Sequence, residues 1–450
     1  MYHTNKMSTK SGEPLSNAAQ ELLQLEEKYS VGGFAPTPGF LVSGKGSTLI
    51  DVDGREIIDF VTMFSATNIG HGHPKLIEAV VETMRKTTLI NMSTHYAGWP
   101  KLAKELCERF GYDKVTAMVS GAEAADTACK IARKWGIVHK GIAPEEVLVL
   151  GTSDNYHGLT SGIWPIMTPG SQEGYAVFSK NITNRHPRTG ELLRYGHVED
   201  FEAVFEEFHS RISGVIMECI HGKLPTFQEE IDFASGVRQL CKKYNILFIS
   251  DEIRMGSAKT GKFLCSDWLG PEGKPDMITL GKSITGGAFP ASYILGNNQA
   301  MSLVESFQTG GTFTMAPAAV AATTAALKIF DEEKLCEKAF AIEAKWKETT
   351  SKWNYPWIKY VTSRGADMSI ATEQKYGTVT PRRIARLAWQ KGLFIYPTKA
   401  AIRVHMALTI SDEELEKGLS ILTNVMNEIE SYGDIPGSTH PSDDAKHGGY

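Results

Sequence analysis

Three groups of residues in this 450-residue chain carry chemistry that fits together. The first is Lys282, in Leu280-Gly281-Lys282-Ser283, directly behind the apolar run Met277 to Leu280. A lysine at a buried strand end holds its proton less tightly, and its free amine can condense with an aldehyde. The same position also suits a surface lysine whose stem lies on apolar residues while its ammonium stays in water. The second is Asp251, which with Glu252 closes the apolar run Ile246 to Ser250, 31 residues before the lysine. A buried carboxylate there needs a cationic or strongly donating partner; a plain helix cap would need none. The third is Ser120-Gly121-Ala122-Glu123-Ala124, between an apolar run ending at Val119 and a helical pattern. Small residues let backbone N–H groups approach an anion, and a helix N-terminus favours a phosphate, although glycine also serves such turns for geometry alone.

Together these groups offer a phosphate cup, a carboxylate for a pyridinium nitrogen and an amine for an aldehyde, which are what a protein must supply to pyridoxal 5'-phosphate. Tyr156, in Asp154-Asn155-Tyr156-His157-Gly158, adds an aromatic ring able to stack on a planar heteroaromatic cofactor. His71 and His73 stand two apart with no acidic ligand set nearby, so they are expected to pack a loop and no metal is expected.

The elements that must position these residues are legible as short apolar runs: Val115 to Val119, Val147 to Leu150, Val215 to Glu218, Ile246 to Ser250, Met277 to Leu280 and Tyr293 to Leu295. They alternate with segments of helical period, which predicts an α/β fold with a mainly parallel sheet covered by helices. One covering helix is expected over Ala122 to Trp135, where Ala125, Ala128, Ala132 and Trp135 share a face. All three groups then fall at carboxyl ends of strands, where open α/β sheets bind ligands. Residues 71–330 form the expected large domain. Residues 331–432, helical with strand-like pieces near Met368 to Ile370 and Ala401 to Val404, form a smaller α+β domain. Residues 17–70 join it through a hairpin over Leu49 to Phe60, turning at Val52-Asp53-Gly54-Arg55. Residues 1–16 and 433–450 are polar and expected to be unstructured.

Composition narrows the function. With 42% hydrophobic and 22% charged residues the chain can bury a large core, which excludes a disordered or fibrous protein. A balance of 47 Lys+Arg against 52 Asp+Glu leaves no basic excess for a nucleic acid or an anionic membrane, so neither partner is expected. The stretch Met315 to Phe330 is Ala-rich, broken by Thr323, Thr324 and Lys328, and too short to span a bilayer. Six scattered cysteines without a CxxC pair point to reduced thiols, and the acidic first 30 residues show neither an apolar signal nor an Arg-rich leader, so a cytoplasmic location is expected.

With these residues in place the sequence resembles the class III family of pyridoxal-phosphate aminotransferases, and within it the ornithine-specific branch most. The resemblance runs from about Gly32 to Asn427. It is carried by Asp59-Phe60, Asn68 with Gly70-His71-Gly72-His73-Pro74, Gly121-Ala122-Glu123-Ala124, Ala128 to Gly136, Leu247 to Ile253 and Leu280-Gly281-Lys282. It implies the fold type I architecture. It also implies that Lys282 binds the cofactor's aldehyde and shuttles the proton, and that Asp251 partners the pyridine nitrogen. Ser120, Gly121 and Ala122 would lie at the phosphate, and Tyr156 and Ile253 would cover the two ring faces. Thr312, in Gly310-Gly311-Thr312, would reach the phosphate across the interface of a homodimer. Arg403, in Ile402-Arg403-Val404, would clamp a substrate carboxylate with its two-pronged guanidinium, where the bare sequence would also allow a solvent-exposed strand arginine. The partners implied are an amine or amino acid and a 2-oxo acid.

Some positions depart from the family pattern. Where the ornithine pocket has tyrosines and an arginine, this chain has Phe34, Phe64 and Leu159. Each lost hydrogen bond to a charged ligand is worth roughly 1.5–3 kcal/mol. The expected donor is therefore a primary amine or amino acid whose distal part is hydrophobic or uncharged, and not ornithine. His221-Gly222-Lys223 replaces a stretch with a glutamate that pairs with the carboxylate-binding arginine, so Arg403 is expected to be permanently available or repelled into a new position. Arg254 places a cation near the cofactor's phenolic oxygen. Rival readings are a racemase, aminomutase or lyase with the same cofactor, and a non-catalytic binding protein, against which Lys282 and Asp251 speak.

Overall fold

The computed structural model describes residues 10–31, 39–167, 181–373 and 376–438. The chain divides into two compact units: a large one, Ser65–Ile69 with His73–Glu337, and a second one, Met1–Phe64 with Gly70–Gly72 and Lys338–Tyr450.

The large unit is built on a seven-stranded sheet. Its strands in chain order are β1 (Lys114–Met118), β2 (Leu148–Leu150), β3 (Ile182–Thr183), β4 (Ile212–Met217), β5 (Leu247–Asp251), β6 (Met277–Leu280) and β7 (Ser292–Gly296). The spatial order is β1-β7-β6-β5-β4-β2-β3, parallel except for β7, which runs against both its neighbours. The six apolar runs read from the sequence are six of these strands. The short edge strand β3 has too few residues to show a period.

Side chains alternate across the strands and give the sheet two apolar faces. Val149, Ile216, Ile249 and Ile294 pack under helix α1 (Gly121–Lys140) through Ala125, Ala128, Ala132 and Trp135. Leu150, Val215, Met217 and Phe248 pack on the other face against Phe201, Phe205, Phe233 and Val237. The helix settles close to β4 because residue 136 is glycine: a Cβ there would lie 2.4 Å from the Cβ of Ser213. Among the described residues no helix is long and apolar enough to cross a membrane.

The second unit holds two four-stranded sheets. In one, Leu41–Lys45, Thr48–Asp51 and Glu56–Asp59 form an antiparallel meander, and Leu393–Phe394 joins in parallel. The other is antiparallel, in the order Ile358–Arg364, Asp367–Thr372, Ala401–His405, Tyr396–Pro397.

The described parts of the polar ends, residues 10–16 and 433–438, lie near one another through backbone contacts. Lys10 bridges Tyr432 in parallel, the Gly12 N–H donates to Asp434 O at 2.7 Å and the Gly433 N–H to Lys10 O at 2.8 Å. Arg383 donates to the carbonyls of Tyr432 and Gly433, and Arg386 to that of Pro436. Each end lacks apolar residues for a core of its own, but backbone groups satisfied in pairs need none. Residues 1–9 and 439–450 lie outside the described residues.

Candidate active site

Because β1, β2, β4, β5 and β6 run parallel, the segments leaving their carboxyl ends emerge on one edge of the sheet. Asp251 ends β5 and is 2% exposed. Its Oδ1 accepts the Thr279 hydroxyl at 2.9 Å and the Ile253 N–H at 3.1 Å, and its Oδ2 lies 2.6 Å from His157 Nδ1. This is no helix cap: three neighbours fix the carboxylate in an apolar layer. The far nitrogen of His157, Nε2, is buried with no partner among the described residues.

Lys282 follows β6 with φ 48°, a left-handed conformation rarely adopted by a residue with a Cβ. The next residue holds that turn, since the Ser283 hydroxyl donates to Ser65 O at 2.8 Å and accepts the Asn68 N–H at 2.8 Å. Burial lowers the Lys282 ammonium from its ordinary 10.5 to about 8; Arg254 pushes the same way, and Glu218 and Asp251 oppose. A lysine with its stem on the surface would show no such effect, so the residue is poised to supply a free amine.

The start of α1 completes the edge. The Ser120 hydroxyl accepts the Glu123 N–H at 3.2 Å while the Glu123 carboxylate accepts the Ser120 N–H at 2.7 Å. This capping box leaves the first-turn N–H groups of Gly121 and Ala122 without intrahelical partners, facing outward as an anion site requires. Ile253 covers this turn so closely that a Cβ on Gly121 would lie 2.9 Å from its Cδ1. From the other side Gly158, with φ +110°, comes so near that its Cβ would meet that of Ala122 at 2.3 Å. The loop carrying half-buried Tyr156 is thereby pressed beside the helix start. Leu159 follows at 48% exposure.

Charged residues brace these loops. Glu218, after β4, meets Arg254 Nε at 3.0 Å and His221 Nε2 at 3.3 Å. Glu230, fully buried, accepts four successive backbone N–H groups, from His221 to Leu224, at 2.8–3.3 Å. That loop presents Lys223, which pairs with Asp154 at 2.5 Å. Thr312 is exposed, in a turn closed by the Thr314 hydroxyl donating to Gly311 O at 2.7 Å.

Two other expected residues belong to the second unit. Phe64 meets the ring of Tyr396 edge-on at 4.7 Å, and Tyr396 is the cross-strand neighbour of Arg403. The polar ring of Tyr396 thus stands beside a position read as purely apolar. Arg403 is also not freely available: Asp367, 1% exposed, lies 4.0 Å from its Nη1 and 2.7 Å from His405 Nδ1. Asp367 pairs across the ladder with His405, two residues along from Arg403, which brings all three to one face. Phe34 lies outside the described residues. His71 binds Asp59 at 2.9 Å and His73 binds Glu333 at 3.0 Å, each with its own carboxylate, and no metal-binding group occurs among the described residues.

Sequence reasoning overlooked Glu230, Thr279, Tyr396 and Asp367, because their partners are distant in the chain. His157 had a signal, standing between Tyr156 and Gly158 at the end of a buried strand. The residues present fit pyridoxal phosphate: an outward-facing helix start under a glycine that a Cβ would spoil, a fixed buried carboxylate and an orphaned imidazole nitrogen beside it.

Fold and edge together define a class, the pyridoxal-phosphate-dependent transferases of fold type I. Comparison with known proteins narrows it, since the family model "Aminotransferase class-III" matches residues 32–426. The chain belongs to the class III aminotransferases and is a pyridoxal-phosphate-dependent transaminase. It is 32% identical over 427 residues to an ornithine aminotransferase of Schizosaccharomyces pombe, covering 94% of this chain and 97% of that one. An ornithine aminotransferase of Emericella nidulans is 33% identical, covering 92% and 91%. Among solved structures, ornithine aminotransferase from Toxoplasma gondii ME49 superposes with a TM-score of 0.84 at 26% identity, covering 92% and 96%. Acetylornithine aminotransferase from Elizabethkingia anophelis gives 0.79 at 30% identity, covering 91% and 99%.

Proposed function

We propose that the chain moves an amino group from a primary amine or amino acid other than ornithine to a 2-oxo acid, with Lys282 and Asp251 as its catalytic residues. The observation that carries this reading is the depressed Lys282 amine on the same sheet edge as the buried Asp251 carboxylate. When bound, the cofactor supplies the electron sink that lets the C–H bond beside the amino group break. Lys282 Nζ takes that proton and returns it, a task for which an amine titrating near neutrality is suited. Asp251, oriented by Thr279 and Ile253, holds a proton on the ring nitrogen, and His157 steadies its second oxygen. The Gly121 and Ala122 N–H groups receive the phosphate, with Ser120 capping the helix behind them. Tyr156 and Ile253 would contact the cofactor's ring.

Arg403 is assigned to a carboxylate of the substrate, with Asp367 as the counter-ion it must exchange. Phe34, Phe64 and Leu159 are assigned to recognition of the donor's distal part. The exposure of Leu159 and the loss of charged donors at these positions favour an uncharged or apolar group there. Thr312 is assigned to the phosphate of a second copy in a homodimer; its own exposure and that of the adjacent Phe313 support a covered surface. Six free cysteines support a reducing compartment, for which the cytoplasm is proposed.

The test is the visible absorbance of purified protein after adding single amines and amino acids without any oxo acid. Loss of the band with an apolar or uncharged donor, and recovery on adding a 2-oxo acid, supports the proposal. Rapid bleaching by ornithine would overturn the substrate reading, and a band that shifts but persists with every donor would overturn transamination by these residues.

A further inference from the structure

The segment that follows β5 runs alongside the one that carries Lys282, with Asp251 paired to Thr279 and Ile253 so close that a Cβ on Gly281 would lie 3.3 Å from its Cγ1, and it holds a buried ion pair that the chemistry above leaves unused. The side chain of Arg254 is 11% exposed and that of Glu218 3%. Arg254 donates through Nε to Glu218 Oε1 at 3.0 Å and through Nη2 to His221 O at 2.6 Å. The other Glu218 oxygen lies 3.4 Å from the Tyr156 N–H, and the Glu218 N–H donates to Asn155 Oδ1 at 2.8 Å. One pair therefore ties together the loops leaving β2, β4 and β5. A buried ion pair stabilises a fold little more than apolar residues of the same shape would, so its charge calls for a separate account.

We infer that Arg254 is a positioning residue that sets a fixed positive charge against the junction between Lys282 and the cofactor, and that Glu218 both anchors and partly offsets that charge. The inference rests on the reading of Lys282 as the cofactor lysine. In pyridoxal phosphate the phenolic oxygen sits next to the aldehyde carbon, so a guanidinium near the lysine nitrogen opposes a proton on that nitrogen and favours the oxygen anion. The lowered Lys282 ammonium agrees: Arg254 is its largest cause after burial, and Glu218 acts with the opposite sign. Because both groups are locked by backbone and side-chain partners, neither has to reorganise while the proton moves.

The test is a pH titration of the visible band in the cofactor-loaded protein, for the unaltered chain and for Arg254→Gln, Arg254→Lys and Glu218→Gln. In Arg254→Gln the midpoint should rise by about one pH unit, as expected for losing one interacting charge at protein dielectric. Arg254→Lys, which keeps the charge, should stay close to the unaltered protein, and Glu218→Gln should move the midpoint down. Opposite shifts in the two glutamine variants support the inference, since simple loosening of the loops has no sign. An unmoved midpoint in Arg254→Gln, or the same direction in both, overturns it. Should Arg254→Gln lose the cofactor, Glu218→Gln decides alone: a downward shift supports the inference and an upward or absent one overturns it. A loaded, unaltered protein with no visible band would instead overturn the assignment of Lys282.

Discussion

Replacing Lys282 with methionine should make the cofactor-free protein more stable. A fall of the ammonium from 10.5 to about 8 means that the folded state resists a proton that the unfolded chain accepts. At about 1.4 kcal/mol per pH unit the penalty is of order 3 kcal/mol at neutral pH. Between pH 8 and 10.5 the unfolded state binds more protons than the folded one, so stability rises with pH across that window. Below it the full penalty is present; above it both states are neutral and the penalty is gone. Methionine keeps most of the stem's packing without the charge, so Lys282→Met should gain roughly 2–3 kcal/mol at neutral pH and very little at the alkaline end. Urea denaturation of both cofactor-free proteins along a pH series measures this directly. A variant no more stable than the parent at neutral pH, or a gain that does not shrink as pH rises, would refute the electrostatic account of this lysine.

Lys282→Ala should abolish transamination while the phosphate site still holds the cofactor non-covalently; residual turnover within about tenfold of the parent would sink the proton-shuttle role. Asp251→Asn removes a charge-assisted hydrogen bond and should lower kcat by roughly 10- to 150-fold with little change in fold, as read by steady-state kinetics beside circular dichroism. Gly121→Val pushes a branched side chain into Ile253, already 2.9 Å from a bare Cβ, and should weaken cofactor retention on dialysis more than it lowers the unfolding midpoint. Glu230→Ala leaves four backbone N–H groups without their buried acceptor and should cost about 3–5 kcal/mol in denaturation experiments; a cost below about 1 kcal/mol would show that the loop does not depend on it.

The fold and the proposed reactive centre were legible locally for a physical reason. A strand buried on both faces must be apolar along its length, so β2, β4, β5, β6 and β7 announced themselves, and the edge strand β1 did so by its buried Ala117 and Met118. Lys282, Asp251 and the Ser120 turn stood out because polar groups directly behind such runs are forced to a sheet edge. Composition reports the absence of a core at the polar ends but not the backbone pairing between Lys10 and Tyr432. What no local pattern encodes is which distant polar groups meet. Only the folded chain brings His157 onto Asp251 across 94 residues, sets Arg254 on Glu218 and Asp367 beside Arg403, and turns Lys282 from an ordinary amine into one with a depressed proton affinity. Residue types determined which chemistry was available; burial and long-range pairing, which exist only in three dimensions, decided which partners hold each group and lowered the proton affinity of Lys282.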